Sequence, residues 1–352
     1  MSRPAGPAPG AASTALARAR VAVVVPARNE EARIAACLAA LSRQRLPGGA
    51  LPAVFVIAND CTDATVPLAR ALAGPGQRVV ACTAGTGGVG RARNIGLEVA
   101  RECCPELRLL LTTDADCITA PGWAAALADA LTRAPAACGA ILPAAEPLTP
   151  VSHPDPLELR YALLTRRFHL LLGRHAPGEA HDMDIGGANM GFRVAELSAL
   201  GGFPELPSGE DRALAARFRQ AGHRVLRVPE ARVHASCRSD GRAPGGMAEG
   251  IRARLSGAQA PFDSALRPFA QMLGEGEATA LGLRLTAREA GRSLPALEAC
   301  VARLSALGSA EERREHVRRL AAGQAGLPAM AGPHGGMQLP SGLPGTMRAA
   351  RR

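Results

Sequence analysis

Four short apolar runs alternate with helical segments across the first 135 residues, and this alternation restricts the fold more than any other feature of the sequence. Val21–Val25 is a continuous apolar run, the signature of a strand buried on both faces. Glu30–Leu46 follows with Ile34, Leu38 and Leu41 at helical spacing. The cycle repeats as a strand at Ala53–Ala58 and a helix at Thr65–Ala73, then a strand at Arg78–Cys82 and a helix at Gly90–Arg101. A fourth strand, Leu107–Thr112, precedes a helix at Trp123–Leu131. Strand–helix alternation predicts a doubly wound, mainly parallel sheet. Ligands of such sheets bind at the carboxyl ends of the strands. The polar residues that follow each apolar run are therefore the candidates for function.

Composition removes several classes. Hydrophobic residues make up 47% of the 352, too many for a wholly disordered chain. Aromatics are only 3%, which argues against a base-stacking surface for single-stranded nucleic acid. No run approaches the roughly 18 apolar residues of a membrane span. The first 20 residues lack the apolar core of a secretory signal, and the nine cysteines form no C-x-x-C pair. A reducing cytoplasm is the expected setting.

From about residue 140 the alternation loosens. Leu157–Leu172 reads as an amphipathic helix with Leu157, Tyr161, Leu164, Phe168 and Leu171 on one face, and Glu210–Ala221 as another helix. Arg224–Val228 and Val233 are strand-like. Arg284–Leu320 reads as helices, with capping boxes at Thr286/Glu289 and Ser309/Glu312. The expected organisation is a disordered arm (1–18), an α/β domain (19–250), a helical extension (251–322) and a disordered Gly/Pro-rich tail (323–352). The basic side chains are all Arg. Residues 1–211 carry 19 Arg against 20 acids, and residues 212–352 carry 22 against 11, so the net charge of +10 lies wholly in the second part. That asymmetry points to an anionic partner or a membrane surface on the C-terminal side, with a solvated helical face as the plain alternative.

The polar segments each allow two readings. Pro26-Ala27-Arg28-Asn29-Glu30-Glu31 after the first run is either a nucleotide-holding turn or a capped helix start. Asn59-Asp60-Cys61-Thr62-Asp63 is either a base or ribose contact or an N-capping turn. Gly85–Gly90 matches G-x-G-x-x-G, but two strand–helix units precede it, and an NAD-dependent oxidoreductase would carry that string after its first strand. Thr113-Asp114-Ala115-Asp116 ends the fourth run with two carboxylates, hard oxygen donors suited to Mg²⁺ or Mn²⁺. Asp182-Met183-Asp184 repeats the pattern without a preceding strand. Glu210 and Asp211 open a helix, where one could act as a general base or both could simply meet the helix dipole. His234 is either a ligand or a solvated ring.

In order, the strings V-P-A-R-N-E-E, N-D-C-T-D-A-T, G-R-A-R-N-I-G, T-D-A-D, G-G-A-N-M-G-F-R, G-G-F-P-E and G-E-D-R-A-L resemble those of family 2 glycosyltransferases over roughly residues 19–242. The resemblance implies a GT-A fold, Rossmann-like and mainly parallel, here with a C-terminal helical extension. It implies that Pro26, Arg28, Glu30 and Asn59 hold the nucleoside of a nucleotide-sugar donor, that Arg93 and Asp114 hold the nucleotide, and that Asp116 and His234 bind the metal. Asp211, beside Glu210, becomes the expected catalytic base of an inverting transfer to an acceptor hydroxyl. Ala58-Asn59 stands where the family commonly has Asp-Asp, so uridine is not implied. The absence of a Q-x-x-R-W string and of membrane helices implies a non-processive enzyme. The competing classes are a nucleotidyltransferase of related fold and the NAD-dependent oxidoreductase. Expected partners are the donor and an anionic or lipid-linked acceptor, with no nucleic acid, and with peripheral contact at the inner membrane face.

Overall fold

A computed structural model describes residues 16–74, 76–83, 88–144, 155–238, 251–252, 262–263, 265–274 and 285–325. The expected N-terminal arm and the Gly/Pro-rich tail fall almost entirely outside these residues. The first half folds as β1 (Val21–Ala27), α1 (Ile34–Ser42), β2 (Ala53–Asn59), α2 (Thr65–Leu72), β3 (Gln77–Cys82), α3 (Gly88–Cys103), β4 (Leu109–Thr112), β5 (Cys117–Thr119) and α4 (Trp123–Arg133). The second half continues with β6 (Ala136–Pro143), α5 (Pro156–Leu171), a 3₁₀ turn (Asp182–Asp184), β7 (Met190–Arg193), α6 (Val194–Ala199), α7 (Glu210–Gln220) and β8 (Val225–Ala235). The helices α8 (Phe269–Met272), α9 (Ala287–Ala306) and α10 (Ala310–Ala325) follow.

The eight strands form one sheet in the order β3-β2-β1-β4-β7-β6-β8-β5. β1, β2, β3 and β4 are mutually parallel. β7 runs antiparallel to both β4 and β6, and β5 runs antiparallel to β8, so the sheet is mixed in its second half. Strand periodicity sends alternate β1 side chains to opposite faces. Val21, Val23 and Val25 join a core with α1 and α4, while Ala22 and Val24 join one with α3 and α7. Both faces are covered, which is why β1 reads as unbroken apolar sequence.

The helix expected at Glu30–Leu46 begins only at Ile34. Its first residues are spent on cross-loop bonds instead. The Glu30 amide donates to the Thr65 hydroxyl (2.7 Å), the Glu31 amide to Asp63 (3.1 Å), and Glu31 accepts from the Ala64 amide (2.8 Å). β6 lies in a stretch whose sequence, Ala-Ala-Cys-Gly-Ala, has little strand character. It is held between β7 and β8, and the buried Asn189 side-chain amide donates to the Ala140 and Ala231 carbonyls while accepting from the Trp123 indole (2.8 Å).

A third core forms away from the sheet. Tyr161 and Phe168 of α5 are fully buried against Phe269, Leu297, Leu304 and Val317 from the C-terminal helices. Both expected capping boxes are present, with the Glu289 and Glu312 amides donating to Thr286 and Ser309.

Candidate functional site

Asp114, just after β4, and Glu210, at the start of α7, meet on one buried cation. Arg93, on α3, is fully buried and is the hub. Its Nε donates to the Thr112 hydroxyl (3.1 Å), one terminal nitrogen to Glu210 (2.5 Å) and the other to Asp114 (2.9 Å). Burial alone would lower the Arg93 pKa, but Asp114, Glu210 and Asp211 overcome it and the value is raised. Glu210 is buried too, and burial raises its pKa against the pull of Arg93. The guanidinium also lies 5.9 Å from the Phe203 ring centroid.

The neighbours of Arg93 fix the loops around it. A Cβ at Gly187 would stand 2.6 Å from a guanidinium nitrogen, so only glycine fits there. Asn94 receives the Phe203 amide (2.8 Å) and donates to the Phe203 carbonyl (2.9 Å), and Arg91 pairs with Glu205 (3.1 Å). A Cβ at Gly90 would lie 2.1 Å from the Pro204 carbonyl oxygen. The last glycine of the G-x-G-x-x-G string is thus required by packing against the Pro204 loop, with no dinucleotide needed to explain it. Residues 84–87 of that string lie outside the described residues.

Asp211 is half-exposed beside this hub. One carboxylate oxygen accepts the Gly187 amide and the other the Arg212 amide, both at 2.8 Å. Two fixed donors leave its remaining lone pairs facing outward. Glu210 is committed to Arg93, so Asp211 is the one of the pair that can meet a ligand.

Across the rim, Asp116 is largely buried. Burial and then Asp114 push its carboxyl from 3.8 up to about 6, with Arg238 pulling the other way. Arg238 bridges Glu30 through two bonds (2.6 and 2.5 Å) and reaches Asp116 at 3.3 Å. The sequence marks Arg238 only as a cation after a strand, because its partners lie 208 and 122 positions away. Asp114 and Asp116, countered by Arg93 and Arg238, are oxygen donors of the kind a hard divalent cation takes.

The other expected residues are placed as follows. Pro26 is buried within β1, Arg28 is exposed, and Asn59 ends β2 partly exposed. Asn29 and Asp60 adopt positive φ (55° and 50°), and Asn29 accepts the Thr62 amide (2.8 Å), locking the two loops together. His234 pairs in register with Ile118, and its Nδ1 lies 3.4 Å from the Pro143 carbonyl. Asp114, Asp116 and His234 do not form a compact three-ligand cluster among the described residues. Asp184 is met by Arg166 (2.9 and 2.8 Å) and Arg227 (2.9 Å), and Asp182 by Arg219, so this second acid pair is held by cations.

This mixed sheet, with its acids at the strand ends, is the GT-A fold of glycosyltransferases. A sequence profile described as Glycosyl transferase family 2 matches residues 22–195, about half of the chain, and the chain belongs to that family. The oxidoreductase and nucleotidyltransferase readings fall with that finding. Among solved structures, the mannosyltransferase PcManGT from Pyrobaculum calidifontis, in complex with GDP-Man and Mn²⁺, is similar at 20% identity. It covers 88% of this chain and 84% of its own, with TM-score 0.50. S. aureus TarS is 18% identical over 73% of this chain, with TM-score 0.44, and the chain spans about half (49%) of its length. Glucosyl-3-phosphoglycerate synthase from Mycobacterium tuberculosis, in complex with Mn²⁺, UDP and glucosyl-3-phosphoglycerate, is 19% identical over 75% of this chain and 88% of its own, with TM-score 0.43. No curated protein sequence matches the chain.

Removing the hub strands two acids. Arg93→Met should lower unfolding stability by about 3–5 kcal/mol, because Glu210 is left buried and unpaired. Chemical denaturation measures this, and Arg93→Met/Glu210→Gln should recover part of the loss; a loss within about 0.5 kcal/mol would show that the bridge supports nothing. Asp116 supplies a pH test. Its folded pKa is raised, so its contribution to stability is full below about pH 4 and is lost as pH rises through about 6. Without added metal, the stability of Asp116→Asn relative to the parent should therefore be greater at pH 8 than at pH 5, by on the order of 1 kcal/mol before solvent screening. A difference between variant and parent that does not change with pH would contradict the raised pKa.

Proposed function

We propose that the chain is a non-processive, inverting glycosyltransferase that moves a sugar from a nucleotide-sugar donor to an acceptor hydroxyl, assisted by Mn²⁺ or Mg²⁺. The observation that carries this reading is the Arg93 bridge, which ties the Asp114 rim to the first turn of α7, where Asp211 stands. Asp211 is the base: its carboxylate is oriented by the Gly187 and Arg212 amides and can accept the acceptor's proton as the hydroxyl attacks the anomeric carbon. Attack from the face opposite the leaving nucleotide inverts that carbon.

Asp116 and Asp114 would hold the cation, with Glu30 close by. When bound, the ion supplies Lewis-acid stabilisation of the diphosphate leaving group. Arg238 balances Glu30 and Asp116, and a cation there would free its guanidinium to face phosphate oxygens. Pro26, Arg28, Glu30 and Asn59 border the nucleoside side. Arg93 and Glu210 act through Asp114 and Asp211 as positioning residues. His234 is offered as a metal ligand only through a shift of its ring.

An acceptor at a membrane surface is favoured by one further observation. Leu159, Leu163, Arg167 and Leu170 share one exposed face of α5, with the three leucines 50%, 60% and 46% exposed. No helix among the described residues is long and apolar enough to cross a membrane, so contact would be peripheral.

Asp211→Asn should retain donor binding in a thermal-shift titration while kcat falls on the order of 10²–10⁴-fold. Undiminished transfer would remove Asp211 from the base role, and a product of retained anomeric configuration, read by NMR, would remove the inverting mechanism. Leu163→Ser/Leu170→Ser should reduce sedimentation with anionic phosphatidylglycerol vesicles several-fold; equal sedimentation, or none by either protein, would retire the membrane surface.

A further inference from the structure

Three histidines converge on the side of the molecule where α5 meets the sheet domain, on elements that carry none of the acids proposed to bind the cation. His169 lies in the last turn of α5, His175 in the segment that follows, and His181 caps the 3₁₀ turn. One ring nitrogen from each lies within 4.8 Å of the others, and they are the only such group of three metal-ligating side chains among the described residues. His169 Nδ1 and His181 Nε2 are 2.7 Å apart. His175 completes the triangle, with its ring centroid 4.9 Å from that of His181 and 5.9 Å from that of His169.

The hydrogen bonds set the tautomers. The Met183 amide donates to His181 Nδ1 at 3.3 Å, so the neutral His181 ring carries its proton on Nε2 and gives it to His169 Nδ1. Neither nitrogen of His175, nor Nε2 of His169, has a hydrogen-bond partner within the described chain. Burial is the main force that keeps all three rings neutral, with His169 at about 3 and His181 at about 4. Neutral imidazoles have free lone pairs, the state in which they ligate metals.

We propose that His169, His175 and His181 bind a borderline-soft divalent ion, Zn²⁺ foremost, in a tetrahedral site with a water as fourth ligand. Three imidazole nitrogens without a thiolate or a ligating carboxylate suit Zn²⁺ rather than the Mn²⁺ or Mg²⁺ that an oxygen site takes. Zn–N bonds of about 2.0–2.1 Å place tetrahedral ligand atoms about 3.3 Å apart. The 2.7 Å pair therefore opens slightly and His175 closes in. Binding moves the His181 proton from Nε2 to Nδ1, so the ion replaces the His181–His169 hydrogen bond and the long bond from Met183 is given up. Asp182, whose charge acts on all three rings, stands by as the outer carboxylate, already held by Arg219.

The ion has a structural consequence. It clips the end of α5, and with it the C-terminal helical core, to the 3₁₀ turn. That turn is bonded to α7, since the Asp182 carbonyl accepts from Arg212 (3.2 Å) and its carboxylate from Arg219.

The test uses the full chain after chelator treatment, titrated with Co²⁺ and then Zn²⁺, and needs no substrate. The expected result is one equivalent of Co²⁺ with the strong visible absorption of tetrahedral coordination, displaced by one equivalent of Zn²⁺, and a raised Tm with Zn²⁺. Asp116→Asn should keep the signal, which separates this site from the acid rim, and so separates its failure from failure of the transferase reading. His175→Ala, a substitution on a half-exposed segment, should lose it. No tetrahedral absorption in the parent protein overturns the proposal, as does its survival in His175→Ala or its loss in a folded Asp116→Asn. The parent titration decides the matter even where a histidine variant fails to fold.

Discussion

A guanidinium withdrawn from water must be met by carboxylates and hydrogen-bond acceptors, or the fold cannot keep it. Arg93 is such a group, and much of the site follows from it. Its three bonds join α3, the end of β4 and the start of α7, elements separated by 19 to 117 residues. Gly187 is small because the guanidinium fills the space its Cβ would need. Asp211 then inherits its orientation, since the Gly187 amide points at it. Replacing such a buried network by apolar groups can leave a protein equally stable, so its retention calls for a specific geometry to be worth holding. The geometry held here is that of two outward acids, Asp114 and Asp211, on either side of one buried cation.

What the sequence reveals and hides follows from range. β1 to β4 are legible because buried parallel strands are continuous apolar runs, and both C-terminal capping boxes are legible because their partners lie three residues apart. β6 is hidden. Its alanines have little intrinsic strand preference, and its conformation is imposed by β7, β8 and the Asn189 amide, all distant in sequence. The early start read for α1 fails for a related reason. Glu30 and Glu31 have good helical propensity, yet bonds to Thr65, Asp63 and Ala64 outcompete the first helical turn.

The candidate site shows the same division. Its acids announce themselves as motifs, because Glu30, Asp114 and Asp116 closely follow strands and Glu210 and Asp211 open a helix. Which side chain touches which does not. Arg93 reads as a ligand-facing residue beside a Gly-rich loop, and only the fold shows its donors spent on Thr112, Glu210 and Asp114. Arg238 is no more than a cation after a strand until the chain returns it to Glu30. The three converging histidines come from a helix, a loop and a turn, so no ligand spacing is there to be read.

The charge asymmetry also changes meaning in three dimensions. On paper residues 212–352 carry the whole positive excess. In the fold, Arg219, Arg224, Arg227 and Arg238 reach back across that division to Asp182, Glu179, Asp184 and Glu30. Arg313 spends its charge on the Leu304 and Leu307 carbonyls that end α9. Part of the excess is therefore internal counter-charge for acids of the N-terminal part. These pairs do more for register than for stability where they are exposed. The cationic surface left to meet an anionic partner is correspondingly smaller than the composition implies, and its best-defined apolar companion is the exposed leucine face of α5. An acceptor recognised there would be read by apolar contact first and by charge second.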